Sequence, residues 1–155
     1  MTEAAPVDLI HLADKHSSAI VRIKGRMAPG RPLGHDMLIA EIVASAYWGI
    51  DIRLQLFLDH DDLDTLQRGL SEVGDGIEAS IGGNKRARLA VRLEDGGVTV
   101  VIEEPGRLSA RIGVQPRGDW LAKQYRQLEQ VRRTWPREVV ETAPGEFAWA
   151  STSES

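Results

Sequence analysis

The chain has 155 residues, 42% of them hydrophobic and 27% charged, with a net charge of −4 at neutral pH and no cysteine. That length suits a single domain with its own core, and the ordinary balance of apolar and charged residues excludes a disordered or fibrous protein. The missing cysteine excludes disulfides, thiol catalysis and cysteine-held zinc or iron–sulfur centres, and the negative charge argues against a general nucleic-acid binder.

The opening residues, Met1 to Pro6, carry no basic segment leading into an apolar one. No later stretch approaches the roughly 18 apolar residues of a membrane span, so a cytoplasmic protein without membrane contact is expected. Val7 to Ala13 and Ala19 to Lys24 predict a strand pair joined by a turn at Asp14-Lys15-His16-Ser17. Gly25 to Asp36, rich in proline and glycine, sustains neither period and predicts a long loop.

Two strands follow, Met37 to Tyr47 and Ile50 to Leu58, with apolar residues at even positions facing the core. Keeping even positions on one face requires paired residue numbers to sum to an even value, which centres the turn near Trp48-Gly49 and leaves Glu41 and Arg53 together outside. Asp59 to Asp62 supplies a helix start, and Leu63, Leu66, Leu70 and Val73 form its apolar stripe before Gly74 and Gly76 stop it. Ile77 to Asn84 is a short edge strand by pattern. Lys85 to Glu94, with Ala87, Leu89, Val91 and Leu93 inward, then Val98 to Glu103 and Arg107 to Val114 predict a meander.

Asp119 caps a second helix whose stripe is Leu121, Tyr125, Leu128, Val131 and Trp135, ended by Pro136. The tail is expected to dock, because Val139, Val140, Phe147 and Trp149 need cover, and residues 151–155 are expected to fray. The fold class expected is α+β: one twisted, mainly antiparallel sheet of about seven strands with two helices on one face, forming a single domain over residues 1–150.

No nucleophile elbow or phosphate loop occurs, so no catalytic, cofactor or metal site is nominated and a non-enzymatic role is expected. The acidic turn Asp59, His60, Asp61, Asp62 and Asp64 has the oxygens, and in His60 a nitrogen, to hold a hard cation, but acids at a helix N-terminus are what its dipole favours. His35 and Asp36 have the makings of an oriented base, yet lack a visible nucleophile, and Asp36 bonding within its own loop accounts for them. Tyr47 and Trp48 at a hairpin tip are aromatic anchors for a partner protein. The candidate partner-binding residues are therefore Tyr47, Trp48, Arg26, His35, Asp36, Asp59, Asp61 and Asp62. Arg86, Arg88, Arg92, Arg107 and Arg111 along the meander define the alternative, a nucleic-acid-binding sheet face, and the Gly25 to Asp36 loop defines another, a small-molecule site or active site.

Ile23-Lys24-Gly25-Arg26 with Pro29-Gly30, His35-Asp36 before Ala40-Glu41-Ile42-Val43, Asp62-Leu63-Asp64, Leu128 to Arg132, Trp135 to Val140 and Pro144-Gly145 occur in this order. In that order the chain resembles a family of small actinobacterial proteins of unknown function, of the Streptomyces type. The resemblance implies a bacterial origin and a shared fold, and no catalytic residues. More distantly the chain is similar to small sheet-and-helix immunity proteins, an analogy of fold that implies binding to a protein partner such as a basic toxin.

Overall fold

The alternating segments up to Leu58 pair in chain order. In the computed structural model, which describes residues 4–47, 49–83, 86–94 and 96–150, β1 (Val7–Ala13), β2 (Ser17–Arg26), β3 (Leu38–Ala46) and β4 (Ile50–Leu58) form a four-stranded antiparallel meander. β3 and β4 run in the expected register, from Leu38 opposite Leu58 to Ala46 opposite Ile50. Leu38, Ala40, Ile42 and Ala44 are fully buried opposite Leu58, Leu56 and Ile52, while Ile50 at the strand mouth is exposed. β1 carries a bulge that turns both Leu9 and Ile10 inward.

α1 (His60–Glu72) starts at Asp59, whose carboxylate accepts from the Asp62 amide while the Asp62 carboxylate accepts from the Asp59 amide. This reciprocal box satisfies two amides that the first turn leaves without helical partners. Leu63, Leu66, Leu70 and Val73 are buried, as the spacing required. A 3₁₀ turn over Val73–Asp75 ends at Gly76, which is left-handed at φ 83°.

β5 (Ala79–Gly82), β6 (Arg88–Glu94), β7 (Gly97–Glu104) and β8 (Leu108–Val114) make a second antiparallel meander, with β5 at its edge. Ala87, Leu89 and Val91 point inward, whereas Leu93, near the hairpin end of β6, is 40% exposed. α2 (Trp120–Thr134) follows, capped by Asp119. β9 (Val139–Ala143) and β10 (Glu146–Trp149) close the chain as a small hairpin. The class is α+β and antiparallel, as expected, but the described residues form ten strands in three sheets rather than about seven in one. α1 stands between β4 and β5, and these strands do not pair.

The element order therefore repeats: four strands and a helix, twice. The helices cross over. α1 packs on β5, the first strand of the second sheet, and α2 packs on β1, the first strand of the first sheet, with the two helices touching between them. Gly69 lets α1 approach closely, since a Cβ there would stand 2.8 Å from the Ala79 Cα. On the other side, Gln124 is buried on α2, and its Oε1 accepts from the His11 amide at 2.8 Å while its Nε2 donates to the His11 carbonyl at 3.1 Å. One side chain thus takes the place of a neighbouring strand along the open edge of β1. Trp48, Lys85, Asp95 and the 151–155 tail lie outside the described residues.

Candidate functional site

The proline- and glycine-rich loop has a fixed shape. β2 runs through Gly25 and Arg26, so the loop proper begins at Met27, whose amide bonds the Met37 carbonyl at 2.7 Å. Within it the Ala28 amide bonds the Gly34 carbonyl, and the Arg31 amide bonds that of Ala28. Gly34 is left-handed at φ 94°, and a Cβ there would meet the Met27 side chain at 2.9 Å. The Gly30 amide donates to His35 Nδ1 at 3.0 Å.

That last bond fixes the imidazole. Because Nδ1 accepts, the ring proton sits on Nε2, which donates to Glu138 Oε1 at 3.0 Å. Both ring nitrogens are spent, and His35 has no lone pair left for a base. Arg26, with a side chain 10% exposed, donates from one terminal nitrogen to the His35 carbonyl and Asp36, and from the other to the Pro136 carbonyl and Glu138. The Asp36 carboxylate also accepts from the Glu138 and Val139 amides. Asp36 therefore bonds Arg26 at the end of β2 and two amides of the tail, where bonding within its own loop was expected. Arg26, His35 and Asp36 are brought together as a clasp that holds the β9–β10 hairpin, and Trp149 meets the His35 ring edge-on at 4.7 Å between centroids.

Beside the clasp lies an open cup of about 380 Å³ bounded by the loop, the start of α1 and the hairpin. Met27, Leu33 and Phe147 line it while remaining 45%, 69% and 39% exposed. Its polar wall includes Asp36, Asp59, Asp61, Arg137 and His60. His60 is buried, its Nε2 has no hydrogen-bond partner among the described residues, and burial pushes its pKa below the ordinary histidine value. Docking of the tail is thus partial: Val139 is buried, but Val140, Phe147 and Trp149 keep large exposed faces.

Residues 7–136 match DUF5959, a family of unknown function. The chain belongs to this family. Searches of curated proteins and of solved structures gave no match. The DUF5959 segment contains Arg26, His35 and Asp36 but stops two residues before Glu138, so the hairpin gripped by the clasp lies beyond the matched residues.

The other candidates of this DUF5959 chain are dispersed. Tyr47 is 71% exposed at the β3–β4 turn and meets the His16 ring edge-on, while Trp48 falls outside the described residues. In the acidic turn, Asp59 and Asp62 are engaged in the capping box, Asp61 pairs with Arg137 at 3.3 Å, and Asp64 pairs with Arg132. Burial raises the Asp62 pKa despite the Asp59 amide. Along the second sheet Arg88 is paired with Glu78 and Glu103, Arg92 with Glu78 and Glu94, and Arg107 with Glu104. Arg86 lies over the Phe57 ring at 5.3 Å, and Arg111 alone of this group makes no such contact among the described residues.

Sequence reading did not single out Met27 or Leu33, took Phe147 only as a tail residue in need of cover, and took His60 only as part of the acidic turn. Leu33 carried a usable signal, because a large apolar side chain between Pro32 and Gly34 in a loop has no periodic reason to be there. Phe147 and His60 carried none, since only folding brings the hairpin to the start of α1.

Proposed function

We propose that this protein is a non-enzymatic binding module that docks a protein partner over the cup beside the clasp. The observation that carries the reading is the gathering of Met27, Leu33 and Phe147, all substantially exposed, around one hollow. Large apolar side chains clustered in water are costly unless something covers them, and a loop already fixed by its own hydrogen bonds loses little entropy on binding. Leu33 projects at the rim instead of lining a closed cavity, which fits a protein surface better than a small molecule. The narrower form of the proposal, an actinobacterial immunity-like protein that holds a toxin in the cytoplasm, is supported by the resemblance in sequence alone.

The test is affinity capture from host cells at two salt concentrations with the natural chain and with Leu33→Glu and Phe147→Glu. A stoichiometric protein retained at high salt by the natural chain and lost from both variants is the expected result. Retention by both variants would remove the cup from the reading. No helix among the described residues is long and apolar enough to cross a membrane.

A further inference from the structure

The opposite end of α2 carries a different surface. A cleft of about 620 Å³ there is lined by Lys15 from the β1–β2 turn, Arg117 from the segment before α2, and Lys123 and Arg126 on the helix, with His11 and Trp120. None of the four cations makes an ion pair or side-chain hydrogen bond among the described residues. Elsewhere pairing is the habit: Arg88, Arg92 and Arg107 on the sheet face have carboxylate partners, as do Arg132 and Arg137 near the other end of the same helix.

Two acids also line the cleft, but both are turned to backbone amides. Asp14 accepts from the His16, Ser17 and Gln115 amides, and Asp119 accepts from the Ala122 amide. Four cations against two such carboxylates leave a surplus of two positive charges, on a chain whose net charge is −4. The placement also runs against helix stability. α1 has Asp61 and Asp62 in its first turn, as the dipole favours, whereas the first turn of α2 has no acid, and Lys123 and Arg126 follow one turn apart on the same face. Asp119 at the N-cap offsets part of this, but among the described residues no carboxylate pairs with either cation. An anion held in the cleft would. Burial pushes the His11 pKa down, with Lys123 adding to it and Asp8 opposing it.

We infer that this cleft binds nucleotide phosphates, with a base stacked on Trp120, either in single-stranded nucleic acid or in a free nucleotide. The half-buried indole lines the cleft beside the cations, an aromatic that a cation cluster alone lacks, and stacking joined to phosphate contacts is how single strands are held. The cleft lies along the first half of α2, whereas the cup is met only at Arg137 beyond its end, and the two share no lining residue.

The test is fluorescence anisotropy with a labelled mixed-sequence single strand of roughly ten nucleotides, at low and moderate salt, together with an abasic strand of equal length, AMP and poly-glutamate. Expected are binding to the natural strand that weakens as salt rises, at least about tenfold weaker binding to the abasic strand, and a loss of about tenfold or more in the double variant Lys123→Glu, Arg126→Glu. Because Lys123→Glu places an acid near a helix start and Arg126 is exposed with no ion pair among the described residues, the melting temperature should hold, which separates lost binding from lost folding. Arg111→Glu on the sheet face and Leu33→Glu at the cup should leave the affinity unchanged. AMP binding as tightly as the strand would identify a free nucleotide as the source, and a tighter strand would identify nucleic acid. Absence of strand and AMP binding at low salt, equal binding of the abasic strand or poly-glutamate, or an equal loss in Arg111→Glu would each overturn the inference.

Discussion

Arg26 on β2 and Glu138 before β9 are 112 residues apart in the chain and 2.9 Å apart in space. Through this contact the guanidinium joins the proline-rich loop to the C-terminal hairpin, with four acceptors sharing its two terminal nitrogens. Arg26→Met leaves the Asp36 and Glu138 carboxylates without their cation and should cost about 3 kcal/mol in urea unfolding. Arg26→Lys should not restore it, because one ammonium cannot span the fork. Proteolysis between residues 137 and 149 should accelerate in both. A loss well below about 1 kcal/mol in either variant would mean that the hairpin is held by its apolar contacts instead.

Gly69 and Gly74 make a matched pair. At Gly69 a Cβ would stand 2.8 Å from the Ala79 Cα and 3.0 Å from its Cβ, so Gly69→Val should destabilise by about 1–3 kcal/mol although glycine is a poor helix former. At Gly74 a Cβ meets nothing within 4 Å, and Gly74→Ala should be neutral or stabilise by roughly 0.5 kcal/mol. Thermal unfolding of the two variants decides it; equal effects would mean that α1 can shift off β5 at little cost.

Replacing Gln124 by Ala strips the His11 amide and carbonyl of their partners on the edge of β1. A cost of about 1–3 kcal/mol is expected from the groups left unpaired. Light scattering near the melting temperature should rise as well, since a bare strand edge recruits other strands. Gln124→Glu keeps an acceptor for the amide but offers the carbonyl no donor, and should recover only part of the loss.

Stability should fall in mildly acidic solution. Burial holds the His60 pKa down, and burial with Lys123 does the same at His11, so the unfolded chain binds protons that the folded one refuses. Stability contributed by these groups is present above the ordinary histidine value near 6.5 and is lost as pH falls through it, levelling off below the folded values. His60→Leu and His11→Gln should each flatten the melting-temperature curve between about pH 7 and pH 5. Glu78 is also held low by Arg88 and Arg92 against the opposing effect of burial, and its share disappears only at more acidic pH. An unchanged slope in the double histidine variant would assign the acid sensitivity to carboxylates.

Elements with a local rule were legible. The pairing of Leu38 with Leu58 follows from alternation alone, and the α1 stripe from Leu63 to Val73 follows from helical spacing. What has no local rule was not. Glu78, just before β5, pairs with both Arg88 and Arg92, which Glu103 and Glu94 also meet, so the centre of a band of arginines that reads as a binding face is internally paired once folded. Leu93 continues the inward alternation of β6 but sits near its hairpin end, where alternation continues and cover does not. Arg26, His35 and Asp36 stood out as residues near one loop, yet their roles depend on Glu138, which no spacing connects to them. The division into two sheets was hidden for the same reason, because alternation sets which way a side chain points and not which strand comes next.

The exchange of helices between the halves sets a timetable for synthesis. A ribosome delivers β1 more than a hundred residues before α2, so the first sheet is made long before Gln124 arrives to occupy its border. Domains commonly fold as the chain emerges, but here the nascent first half waits with one strand uncovered until α2 has been made. The period of greatest exposure to aggregation therefore falls on the ribosome, and slower translation of the segment from β5 to α2 would lengthen it.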